Sequence, residues 1–431
     1  MTHQRPASSD ASLATAPRLE LPTEPTTARV LVIGDGGVPT GFGRLVHSVV
    51  DRLPAHYDIH QLGINYRGEP HAVRWPLYPA ALHGDVYGVD RVAELIDRLR
   101  PDLVFAVCDL WILGRYAEVL ERYRRRVKTV VYFPVEGTPV DPEAAYRLRS
   151  IDRLVAYNQF GADAITEAFS EARRYDPSLG ARPLDIVPHG VDTDTFHALP
   201  GVLDGDRSAV RRRLLPGRPD LDDAFLVLNA NRNQPRKRID LTMEGFALFA
   251  RDKPANVKLY LHMGVEDCGW NLVTMARRLG IENRLLLTTQ DPAGPNETSE
   301  RLNLIYNACD VGINTSTGEG WGLVSFEHAA AGAAQVVPRH SACAELWDGV
   351  GETMEPSYRL TIERVLTEGW FVTPETVAGA LETLYADRDR RLALARRGHD
   401  FVHRPEFSWD DIARRWDEIF QEVLRGHPLG H

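Results

Sequence analysis

The chain has 431 residues, a net charge of −10, and 43% hydrophobic against 26% charged residues, the composition of an ordinary globular protein. That length exceeds what one growing core accommodates and implies two domains of about 200 residues each. An acidic balance with no basic stretch excludes a nucleic-acid binder, and no apolar run approaches the ~18 residues of a membrane span, so a cytoplasmic location is expected.

Residues 1–27 are rich in Pro, Ala, Thr and Ser and are expected to be a disordered lead-in. The β-branched run Ala28 to Ile33 reads as a strand. It leads through Gly34-Asp35-Gly36-Gly37-Val38-Pro39-Thr40-Gly41-Phe42-Gly43 into a helix carrying Leu45, Val49 and Val50. Strands follow at 103–107, 129–133, 154–157 and 184–187, with helices between them, the rhythm of βαβ units on a parallel sheet. This first domain is assigned residues 28–198. From 199 to 222 the pattern lapses into Pro, Gly, Asp and Arg with one short helical piece, a linker in which Arg211-Arg212-Arg213 reads as a solvated face. The rhythm restarts in 223–402, with strands at 225–228, 257–261, 285–287, 311–314 and 335–337. The segment 349–374 reads as irregular around Trp370. Residues 403–431 end the chain with a helix whose Ile412, Trp416, Ile419 and Phe420 form one apolar stripe. The fold class is therefore α/β, two Rossmann-like domains facing across a cleft where small molecules bind.

Chemistry concentrates at the β-to-α turns. In Thr317 to Glu327 two carboxylates, Glu319 and Glu327, stand eight residues apart across a glycine-rich turn that opens a helix. There both can reach hydroxyls of one ligand lying along the helix N-terminus. Taken alone they are equally well a turn glutamate and a solvent-facing helix glutamate. The run Asn229 to Arg238 places four cations in seven residues, 232–238, beside a helix start. Lys237 is informative because only four of the 50 basic residues are lysines (128, 237, 253 and 258). Arg suits bidentate phosphate contact and Lys a point charge, whereas a charged turn in water is the plainer reading. The first glycine loop fails the dinucleotide spacing, because Pro39 stands where the third glycine belongs, and it lacks the P-loop Lys. Gly41 and Gly43 still permit backbone approach to a phosphate. His189 and Asp109 sit at strand ends and either line the cleft or finish the strand. The four cysteines, 108, 268, 309 and 343, show neither metal-ligand spacing nor a disulfide framework.

Together these segments resemble the retaining, nucleotide-sugar-dependent glycosyltransferases of family 4, which have the GT-B fold. The carriers are Glu319-Gly320-Trp321-Gly322-Leu323 through Glu327 for the Glu-x7-Glu motif, Arg232 and Lys237 for the basic pair, Pro188-His189-Gly190-Val191-Asp192, and Phe407-Ser408-Trp409 before the last helix. The resemblance implies that this helix crosses back to the first domain. It implies transfer of a hexosyl group from a UDP- or GDP-sugar to a small-molecule, glycan or lipid-linked hydroxyl, with the anomeric configuration retained and with neither cofactor nor metal. Arg232 and Lys237 would face the diphosphate, Glu319 the sugar and Glu327 the ribose. Gly41, Gly43, Gly320, Trp321, Gly322 and Leu323 would line the donor. Glu136 stands where many members carry His. A homodimer is compatible with the sequence. The alternatives are a 2-epimerase of the same fold and a non-catalytic nucleotide-sugar-binding partner protein.

Overall fold

The structure, a computed structural model, describes residues 27–38, 40–180, 182–362 and 367–425; the expected lead-in 1–26 and the last six residues lie outside it. Seven parallel strands form the first sheet: β1 Ala28–Asp35, β2 Tyr57–Ile64, β3 Leu77–Pro79, β4 Leu103–Val107, β5 Lys128–Phe133, β6 Arg153–Ala156 and β7 Leu184–Ile186, in the order β3-β2-β1-β4-β5-β6-β7. The second sheet contains β8 Phe225–Asn229, β9 Val257–Leu261, β10 Leu285–Leu287, β11 Val311–Ile313, β12 Ala334–Pro338 and β13 Glu352–Met354, in the order β10-β9-β8-β11-β12-β13. Each sheet reverses direction once, beside its first strand, and in open α/β sheets ligands bind at that switch point, outside the carboxyl ends of the strands. The two switch points are β1/β4 and β8/β11.

The strands are nearly continuous apolar runs because helices cover both faces; Leu103 to Val107 and Phe225 to Asn229 are buried throughout. The C-terminal helix Trp409–Leu424 is capped by Ser408, which accepts from the Asp411 amide at 3.1 Å. It lies against the first domain: Trp416 is 4.6 Å from Phe105, Phe420 is 5.8 Å from Tyr57, and the Tyr57 hydroxyl donates to Asp417 at 2.7 Å. This is the GT-B arrangement, with the chain's end tying the second domain to the first.

Five strands fall outside the expected pattern: β2, β3, β13, and the two of the hairpin Tyr358–Thr361 with Glu368–Phe371 in the segment read as irregular. Strand β2 escapes notice because His60 and Gln61 interrupt its apolar pattern. Gln61 is buried and donates to the Asp35 carbonyl at 3.0 Å, which satisfies its amide inside the sheet. The segment 199–222 holds the short helical piece expected in it, the helix Ser208–Leu214. Arg211, expected in solvent, is buried with its guanidinium on Asp310 at 2.7 Å and the Ala308 carbonyl at 3.0 Å.

Candidate active site

At the second domain's switch point, β8 ends in the loop that carries the basic run. A short turn at Pro235–Lys237 and a left-handed Arg238 (φ 49°) turn the chain into the helix Ile239–Phe249. Lys237 is thereby drawn inward, 7% exposed, onto the carboxylate of Glu319, itself 4% exposed. The Glu319 Oε1 also accepts from Ser316 Oγ at 2.7 Å and Asn314 Nδ2 at 3.0 Å, while Arg236 lies 3.6 Å from Oε2. Burial alone would raise the Glu319 pKa. Lys237 and then Arg236 overcome that and hold it down at about 2, so it is ionised at neutral pH. Burial and the like charge of Arg236 push Lys237 below its ordinary range.

Glu327 lies in the helix Leu323–Ala330, whose start at Gly322 (φ 96°) requires glycine. It is 4% exposed. Its Oε2 accepts from the Tyr306 hydroxyl at 2.9 Å, and its Oε1 is paired with Arg44, which reaches over from the first domain. Glu327 first, and Tyr306 to a lesser degree, raise the Arg44 pKa against the effect of burial.

The first domain meets this loop closely. The Arg236 guanidinium bonds Glu136 at 2.9 Å across the cleft, and Asn158 Nδ2 donates to the Gly320 carbonyl at 2.7 Å. A Cβ at Gly318 would stand 2.0 Å from the Glu136 carbonyl oxygen, and one at Gly320 2.3 Å from Pro134, so the glycines here serve backbone approach between domains. Asp109 follows β4. Burial, then Glu136 and Asp35, push its carboxyl up to about 7, against the pull of Arg236. Asp35 ends β1, where it accepts from Asn65 Nδ2 at 3.2 Å and from the Thr40 hydroxyl.

Of the residues singled out from sequence, Lys237 and Glu319 are brought together and joined to Glu136 through Arg236, on which Asp109 also acts, whereas Glu327 is held separately by Tyr306 and Arg44. Arg232 stands apart. Its guanidinium makes a bidentate pair with Asp267 at 2.6 and 3.0 Å and its side chain is 65% exposed. Trp321 lies beneath the loop, 4.9 Å from Phe326 and 5.2 Å from His189. Gly41 faces Leu323, 3.7 Å from where its Cβ would be, whereas the Gly43 amide is already held by Thr40 at 2.9 Å. His189 packs 4.0 Å from Tyr157, and neither ring nitrogen has a partner among the described residues. Sequence reasoning passed over Arg44 and Tyr306 as partners of Glu327. It counted Arg236 in the basic run without choosing it; the four cations in seven residues were the available signal. Among the described residues no group of three His, Cys, Asp or Glu is placed to hold a metal ion, and no helix is long and apolar enough to cross a membrane.

Burial keeps four histidines uncharged: His189 and His328 near a pKa of about 3, and His262 and His340 near 4. Each folded value lies below the unfolded ~6.5, so the stability these groups contribute is complete above pH 6.5 and is lost as pH falls toward 4. Asp109 is shifted upward and works in the opposite sense between its unfolded value and about 7. Four groups against one leave a net loss of stability as pH falls below 6.5. The melting temperature should therefore drop clearly between pH 6.5 and 5. An unchanged value at pH 5 would contradict the assignment.

A glycosyl transferase-like family profile matches residues 277–418, which include Glu319 and Glu327. The chain is 31% identical over 270 residues to a D-inositol 3-phosphate glycosyltransferase of Geodermatophilus obscurus, covering 60% of this chain and 52% of that one. It is 28% identical over 283 residues to the Segniliparus rotundus protein of the same name, covering 64% and 54%. The chain thus spans about half the length of these curated relatives. Among solved structures it superposes on sucrose-phosphate synthase of Thermosynechococcus elongatus with a TM-score of 0.65 at 15% identity, over 92% of this chain and 99% of the other. It superposes on Anabaena HepE in complex with UDP and glucose with a TM-score of 0.64 at 17% identity, over 92% and 100%. By architecture and by sequence similarity, the chain is a GT-B-fold protein related to the family 4 glycosyltransferases.

Proposed function

We propose that the protein transfers a sugar from a UDP-sugar to a hydroxyl acceptor with retention of configuration. The observation that carries this is the buried Lys237–Glu319 pair at the β8/β11 switch point, joined by Arg236 and facing Glu136 across the cleft. Lys237 and Arg236, with Arg232 turning from Asp267, supply cations for a diphosphate leaving group, the stabilisation that counts most where charge develops. Glu319 holds sugar hydroxyls and Glu327 the ribose diol. The acceptor oxygen bonds to the anomeric carbon as the bond to the β-phosphate oxygen breaks, and the acceptor proton passes to that phosphate on the same face. The names of the curated relatives point to a phosphorylated inositol as their acceptor; HepE was solved with UDP-glucose and with UDP.

Glu136 keeps an ion pair with Arg236 where a histidine would be usual in the family, so it orients the phosphate cation and is not assigned a proton. The test is a melt against UDP-, GDP-, ADP- and dTDP-sugars followed by turnover with EDTA. A UDP-sugar should raise the melting temperature through preferential binding to the folded form, and saturating EDTA should leave turnover largely intact. Loss of activity restored only by Mg²⁺ or Mn²⁺ would contradict the cation assignment.

A further inference from the structure

Glu319 sits on a stretch of backbone with little stiffness of its own. Gly318 and Gly320 flank it, and both are glycine because a Cβ there would meet Glu136 or Pro134 of the first domain. Glycine leaves the chain more conformational freedom to lose than any other residue. The carboxylate is gripped by Lys237, Ser316 and Asn314, and the neighbouring Gly318 and Gly320 carbonyls accept from Arg236 and Asn158. The N–H and C=O of Glu319 itself are taken by the turn that follows β12. There the Glu319 amide donates to the Ser341 hydroxyl at 3.0 Å, and the Ala342 amide donates to the Glu319 carbonyl at 3.2 Å. The peptide groups on either side of the Glu319 Cα are thereby pinned from one turn.

Ser341 makes its bond from a strained backbone. Its φ is 47°, in the left-handed region that glycine, and less often Asn or Asp, occupies at low cost. The residue is 7% exposed, and its Oγ also lies 3.1 Å from Nδ1 of the uncharged His340. The hydroxyl is thus bonded on both sides. A backbone outlier of this kind persists only where its surroundings over-determine it, and such outliers gather at functional sites. Resting on the sugar-transfer reading, we propose that Ser341 is a positioning residue: its hydroxyl clamps the Glu319 backbone so that the carboxylate meets the sugar at the reacting end of the donor. The left-handed turn is what aims the hydroxyl at the Glu319 amide. A glycine at this position would relax the turn and lose the clamp, so stability and activity separate there. A serine with a purely structural role would move the two together.

The test compares Ser341→Gly with Ser341→Ala in the full chain. Both lose the hydroxyl and only alanine keeps the strain, so Ser341→Gly should melt about 2–4 °C above Ser341→Ala. UDP release is measured with the UDP-sugar that gives the largest melting shift, and with water, inositol or D-inositol 3-phosphate as acceptor. In both variants kcat should fall about tenfold with donor KM within about threefold, because a displaced carboxylate loses most where the bond breaks. Without any ligand, amide exchange in the segment 318–321 should be about tenfold faster in both variants than in the parent. A Ser341→Gly chain with the parental kcat overturns the inference. So does a loss confined to donor KM, exchange no faster than in the parent, or a Ser341→Gly chain that melts as low as Ser341→Ala. A parent chain that releases no UDP with any of these acceptors removes the sugar-transfer reading itself, and this inference with it.

Discussion

Replacing Lys237 by alanine should lower kcat/KM by about 10²–10³-fold, the scale for removing one partner of a buried charged hydrogen-bonded pair. From sequence alone, the same substitution at Arg232 or Lys237 would be expected to spare the melting temperature. The structure separates the two. Lys237 is buried on Glu319, so its loss leaves a carboxylate in the interior with only Arg236, Asn314 and Ser316 around it. Breaking such a pair costs about 3 kcal/mol or more, and the melting temperature should fall by several degrees. Arg232 pairs with Asp267 at the surface, where an ion pair contributes little, so Arg232→Ala should keep its melting temperature while losing activity. Measuring both quantities for both variants decides the matter. Activity within threefold of the parent for both removes the diphosphate assignment.

The two glutamates should separate by kinetic parameter. Glu319 is proposed to hold the sugar at the reacting end of the donor, where contacts strengthen as the glycosidic bond breaks, so Glu319→Gln should depress kcat by about 100-fold. It also leaves the Lys237 ammonium buried without its counter-charge, which adds a loss of stability. Glu327, proposed to hold the ribose, would lie remote from the bond that breaks. Glu327→Gln should weaken donor KM about tenfold with a small change in kcat, because that contact is made equally throughout the reaction. Its partner Arg44 is half-exposed and recovers water when the pair is lost, so the fold should be barely affected. A KM effect confined to Glu319 together with a kcat effect confined to Glu327 would reverse the assignment.

How much of this was legible depended on how local the signal was. Strands buried on both faces, such as β4 and β8, announce themselves as unbroken apolar runs, and the apolar stripe of the last helix predicted a packed face that proved to include Trp416 and Phe420. The Glu319–Glu327 spacing and the basic run are likewise confined to a dozen residues. Strand β2 was hidden because its buried Gln61 is satisfied by the backbone of β1, a partner that exists only after folding. Arg211 read as solvated because nothing in the run Arg211-Arg212-Arg213 marks the one side chain that finds Asp310, 99 residues away. The pairing of Arg44 with Glu327 joins residues 283 apart on different domains, and no periodicity encodes it.

That last contact bears on how a sugar nucleotide enters. Glu327 has one oxygen on Tyr306 and the other on Arg44, and Glu319 is fully engaged as well. Binding is then an exchange, in which each new ligand contact displaces an existing internal one, and only the difference appears as affinity. Arg44 and Arg236 also fasten one domain to the other, so an exchange at either side chain loosens a contact between the domains. A substitution far from the ligand that weakens or strengthens those interdomain contacts would then change affinity without touching a single ligand atom.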